Sequence, residues 1–143
     1  MHIKRIFEVR RLELFFSLQT LIFGFWLLLP FNSMGTLAYN TLIGAVDEFT
    51  WGLLFFFNGL SHILALHLNG SRWWSPFVRW FSALCSFLIY LGFVAGFALE
   101  NWMTTAVPVY SCLAIGSAIC LYFAWEDAKT ALRIKYHATN YAR

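Results

Sequence analysis

The chain has 143 residues, 60% of them hydrophobic and 12% charged, against roughly 25% charged in soluble globular proteins. That balance leaves too little polar sequence for a soluble domain within it and describes a single membrane domain over 1–143. The net charge of +3 is explained by membrane topology, since the cations cluster where anionic inner-leaflet lipids would meet them, and nucleic acid is not an expected partner.

The first residues read as a short amphipathic lead-in. Ile3, Phe7 and Leu14 share a face at helical spacing, while Lys4, Arg5, Glu8 and Arg11 point elsewhere. Glu8 with Arg11, and Arg10 with Glu13, are three apart, so the acids are partly neutralised where the helix enters lipid. The first apolar segment, 12–29, closes at Pro30, which cannot continue a helix. It exceeds the roughly 7 to 15 residues of a signal-peptide core and lacks a small-x-small site, so a retained helix is expected.

The loop from Pro30 to Thr50 reads either as coil or as a short helix on the membrane: Leu37, Ile43 and Val46 are apolar, but Gly35, Asn40 and Gly44 interrupt them. Asp47 and Glu48 precede the second segment, 51–68, where the free amides of a helix start favour anions. Asn69-Gly70-Ser71 ends it, and the third segment spans 77–99. A short Glu100-Asn101 connection leads to the fourth, 103–125, where Pro108 is tolerated if Met103 to Thr105 form the first turn. A cytoplasmic helical tail, 126–139, carries Ala128, Leu132 and Tyr136 on one face and Lys129, Arg133 and Lys135 on its wet side.

Each segment approaches the ~20 apolar residues that cross ~30 Å of hydrocarbon. Lys4, Arg5, Arg10, Arg11, Arg72, Arg79, Lys129, Arg133, Lys135 and Arg143 all fall on one side of this pattern, whereas Asp47, Glu48 and Glu100 fall on the other. Basic short loops stay cytoplasmic. The expectation is therefore an all-α polytopic membrane protein, a four-helix transmembrane bundle with both termini cytoplasmic. Trp73, Trp74 and Trp80 are interfacial anchors on the basic side, and Trp51 and Trp102 on the far side.

Helices in lipid pair through small residues and interhelical hydrogen bonds. Gly92 and Gly96 form a Gly-x-x-x-Gly pair in the third segment, while Cys112, Gly116 and Cys120 recur every fourth residue in the fourth. These stripes are the candidate packing faces, within one chain or between copies in a homo-oligomer. Gln19, Asn58, His62, Ser86 and Ser117 form a candidate polar layer, with His62 roughly 10 to 12 Å inside the cytoplasmic boundary. Such a layer is either a hydrogen-bonded clamp between helices or a water-accessible path with His62 as its titratable member.

Other chemistry is disfavoured. Cys85, Cys112 and Cys120 lie in apolar segments without Cys-x-x-Cys spacing and read as packing residues. His62 and His67 are about 140° apart around a helix and cannot chelate one metal from one face. No catalytic triad, phosphate loop or paired carboxylate stands out, so no enzymatic activity, metal or cofactor is expected. Small four-helix multidrug exporters use a membrane-embedded Glu in their first helix; Glu13, the one candidate, reads as lying at the cytoplasmic edge beside Arg10 and Arg11.

Gly24 to Pro30, Trp51 to Phe55 and Val107 to Tyr110 are apolar strings of the kind found in small four-helix membrane proteins of tailed phages and prophages, which the whole chain resembles. The resemblance implies a bacterial inner-membrane location. It also implies either a non-enzymatic component that assembles through small-residue faces and recruits a partner, or a holin-like pore or lysis protein. A small channel or transporter is the remaining alternative.

Overall fold

The structure is a computed structural model that describes residues 2–141 except 32, 36 and 69–72, with side chains described over 10–136 apart from those positions and 38. Helices α1 (His2–Leu27), α2 (Asn40–Ala45), α3 (Glu48–His67), α4 (Ser75–Asn101) and α5 (Ala106–Tyr141) account for the regular structure, with a 3-10 turn at Leu37–Tyr39 before α2. Among the described residues there is no strand.

By length and composition, α3, α4 and the Ala106–Tyr136 part of α5 are long and apolar enough to cross a membrane. α1 is not among these three: it ends at Leu27, and 18 residues counted back from there take in Arg10, Arg11 and Glu13. α1 packs on α3 and α4 on α5, and the two pairs meet through α3 with α4 and α1 with α5.

The helix ends follow from local chemistry. Asp47 caps α3, its carboxylate accepting from the Thr50 backbone N–H at 2.9 Å and from the Thr50 hydroxyl at 2.7 Å. Pro76 lies in the first turn of α4, where its missing N–H is no loss. α5 starts at Ala106 rather than 103, so Pro108 itself belongs to the first turn and neither kinks the helix nor removes an internal bond. The expected helical tail continues the same element. α5 runs on for 36 residues, about 54 Å at 1.5 Å per residue.

The loop between α1 and α3 folds inward. Met34 and Leu42 are buried in an aromatic core with Phe55, Tyr90, Phe93 and Phe97. Tyr39 meets Phe97 edge to face with ring centres 5.0 Å apart, and the Trp51 indole donates to the Leu42 carbonyl at 3.2 Å. Two acids fasten the segment: Glu48 accepts from the Ser33 N–H and hydroxyl and from the Met34 N–H, and Glu100 accepts from the Thr41 hydroxyl. Trp51, expected as an interfacial anchor, is therefore a half-buried clasp between this segment and the helices. Trp73, Trp74 and Trp102 are exposed, and Trp80 meets Trp125 with ring centres 5.7 Å apart.

The closest helix approach requires a correction to the small-residue reading. A Cβ on Gly24 would lie 2.2 Å from the backbone N of Phe56, and one on Gly59 would lie 2.5 Å from the backbone N of Leu21. The tight seam is thus α1 against α3. Of the expected stripe, Gly92 faces open space, Gly96 faces Leu42, Gly116 faces Phe16 of α1, Cys112 is exposed and Cys120 is buried. Between α4 and α5 aromatic rings fill the gap instead, with Tyr110 stacked on Phe97 at 5.4 Å and against Phe93 at 5.0 Å.

Side chains at Gly24 or Gly59 would collide with backbone, which cannot rotate away. Gly24→Leu or Gly59→Leu should therefore destabilise the purified protein by about 1–3 kcal/mol or more in detergent unfolding. Gly92→Leu should change little. Hydrogen bonds from the Thr50 side chain and backbone hold the exposed Asp47 carboxylate below the ordinary aspartate range. A carboxylate depressed on folding stabilises above its unfolded pKa and loses that contribution as pH falls through its folded one. Hydrogen-exchange protection of the Thr50 amide should accordingly fall on acidification through and below that range, and Asp47→Ala should abolish the pH dependence.

Candidate functional site

Four helices converge on one charged cluster. Arg79 of α4 sends Nε to Glu13 Oε2 at 2.8 Å and Nη2 to Glu13 Oε1 at 2.6 Å, a two-pronged contact with α1. Its Nη1 reaches Asp127 Oδ2 of α5 at 2.9 Å. From α3, His62 Nε2 lies 3.8 Å from Glu13 Oε2. Glu13 and Arg79 are both 0% exposed, whereas Asp127 is 49% exposed at the mouth of the cluster.

The chemistry of a guanidinium explains the arrangement. Its planar donors match a carboxylate edge with two parallel bonds and leave a third direction for a second acceptor. Removing both charges from water costs several kcal/mol per ion, and only close, saturated pairing offsets that. Glu13 and Arg79 have such pairing, and Asp127 completes the fork from the wet side.

A ladder of polar contacts continues from the cluster into the bundle. The Ser61 and Ser82 hydroxyls are 3.0 Å apart, and the Asn58 amide donates to Ser86 at 2.8 Å. The Tyr90 hydroxyl donates to Gln19 at 2.7 Å and lies 2.8 Å from the Thr20 hydroxyl. Beyond Tyr90 the interior turns aromatic, with Phe23, Phe55, Phe93 and Tyr110 in mutual ring contact. One half of the interior is thus polar and the other sealed by rings.

The expected layer of Gln19, Asn58, His62, Ser86 and Ser117 is placed on several rungs. Asn58 and Ser86 bond to each other, Gln19 goes to Tyr90, and His62 faces Glu13. Ser117 is buried, and among the described residues neither its Oγ nor His62 Nε2 has a hydrogen-bond partner. The Glu13–Arg79 pair is not among the sequence expectations, which set Glu13 beside Arg10 and Arg11. Instead the Glu13 carboxylate points inward. The signal was available: both residues lie inside apolar segments, and an ion there needs a counter-ion.

Among the described residues no group of three or more His, Cys, Asp or Glu could hold a metal. The cluster's chemistry is ion pairing, which ties α1, α4 and α5 together. Compared with known proteins, the chain matches no family model, no curated protein and no solved structure.

Breaking one side of a buried pair strands the other charge. Glu13→Gln or Arg79→Met should each destabilise the protein by about 3–5 kcal/mol, while the double variant Glu13→Leu with Arg79→Met should recover most of that loss. Asp127→Asn, at the wet edge, should cost about 1 kcal/mol or less. Denaturant unfolding of the four variants in one detergent checks the ranking.

Proposed function

We propose that the chain is a non-enzymatic integral membrane protein of the bacterial inner membrane, a four-helix transmembrane bundle with both termini cytoplasmic. It serves as a membrane component that recruits a partner. The observation that carries this reading is the Glu13–Arg79 pair. It neutralises the acid that makes α1 too polar to cross by itself, so α1 becomes the fourth crossing once α4 is beside it.

The outer faces support the same reading. Phe15, Ile22 and Phe25 on α1, Phe57 on α3, Leu88 on α4 and Ile115 on α5 are all exposed, a pattern stable in lipid and costly in water. In the sequence the cationic residues fall on one side of the apolar segments and Asp47, Glu48 and Glu100 on the other, which supports this orientation. Gly92 and Cys112 face outward, leaving room for a neighbouring helix in a homo-oligomer or membrane complex. The likeness to small phage membrane proteins fits a component of this kind. A holin-like pore would require the aromatic core around Phe93 to part.

Reporter fusions test the topology: those at Met1 and Arg143 should report the cytoplasm and one within the segment near Gly44 the opposite side. Met1 and Arg143 on opposite sides would overturn the four-crossing reading. Induced expression should leave the membrane potential unchanged, whereas abrupt depolarisation would favour the pore.

A further inference from the structure

The long α5 outlasts the bilayer. Counting twenty residues from Ala106, about 30 Å, brings the hydrocarbon edge to Trp125, whose ring meets Trp80 next to the Arg79–Asp127 ion pair. Beyond that level Leu132 stands about 10 Å out and Tyr136 about 16 Å out. The headgroup layer is only about 5–8 Å deep on each side, so this stem passes through it into water.

A helical stem in water should turn polar outward, whereas this one sets large apolar side chains among its outward cations. Trp125, Lys129, Leu132, Arg133 and Tyr136 fall on one face at helical spacing. Leu132 is 47% exposed and Tyr136 67%. The inner face is accounted for by Ala124 and Ala128, which are buried. The stem is held upright where Lys135 Nζ sits 3.7 Å above the Trp73 ring, next to the start of α4.

Charge selects the occupant. After Asp127 the chain has no acidic residue, but it has Lys129, Arg133, Lys135 and Arg143; Lys129 is paired with Glu126 and Lys135 lies on the Trp73 ring, so Arg133 carries the charge that this face presents. Like charge opposes pairing of this face with a second copy, and its height above the headgroups opposes a lipid occupant. We propose that the Lys129–Leu132–Arg133–Tyr136 stripe of α5 is a docking surface for an acidic amphipathic helix of a cytoplasmic partner protein. This rests on the partner-recruiting reading above and names the surface and its complement. Leucine-type side chains of the partner would pack on Leu132 and Tyr136, and its flanking carboxylates would meet Arg133.

The test uses the full chain in nanodiscs of neutral phosphatidylcholine, open to both faces, with a labelled synthetic helix of Leu and Glu, about 20 residues long, and its Leu–Lys counterpart. The Leu–Glu helix should bind, more weakly at high salt. Leu132→Ser with Tyr136→Ser, or Arg133→Glu, should each weaken it by about tenfold or more. Both changes are on the surface, so unchanged thermal unfolding should accompany the loss. Equal binding of the Leu–Lys helix, or binding indifferent to these substitutions, would overturn the proposal. So would vesicle capture that needs anionic phosphatidylglycerol and is lost in the same variants, or a disulfide-linked dimer formed through Leu132→Cys. Because nanodiscs expose both faces, this outcome is independent of the reporter fusions, and failure of the topology is distinguishable from failure of the docking surface.

Discussion

The two-pronged contact between Glu13 and Arg79 is the constraint on which the other features depend. Neither residue is stable in an apolar interior alone, and each supplies the other's counter-ion across 66 residues of sequence. The pair holds α1 against the helix that begins at Ser75, and it permits a polar ladder to start at that depth. Asp127 brings α5 to the same guanidinium, so Arg79 fixes the relative height of three helices. With His62 facing the same carboxylate, α3 takes its place around the same point.

From that point the interior changes character along the bundle axis. Hydroxyls and amides on facing helices satisfy one another up to Tyr90, and rings take over from there. Closure at the ring-filled end comes from the segment between α1 and α3, held by Glu48 and Glu100 and plugged by Met34 and Leu42. Packed rings thus fill one end of the interior. Around this interior stand three helices long and apolar enough to cross a membrane.

Helix α5 runs through all of these regions. Its first turns pack Tyr110 into the ring cluster, its middle carries Asp127 to Arg79, and its last turns run on past that ion pair. Because the helix is continuous, the ion pair at its middle also sets the height and facing of the stem.

Hydrophobic spacing alone determined three of the long helices to within a few residues, because a run of about twenty apolar residues has few other stable states in a membrane. It also placed the cations at one end and the carboxylates of Asp47, Glu48 and Glu100 at the other. Partners across the interior were decided only by tertiary structure. Gly24 and Gly59 look no different from Gly92 in the sequence, yet only the first two meet a neighbouring backbone. Glu13 has Arg10 within helical reach in the sequence, but its carboxylate reaches Arg79, since which counter-ion a buried acid meets depends on which helix packs beside it and at what height. Local pattern specifies where each helix runs; long-range packing specifies what each polar side chain meets.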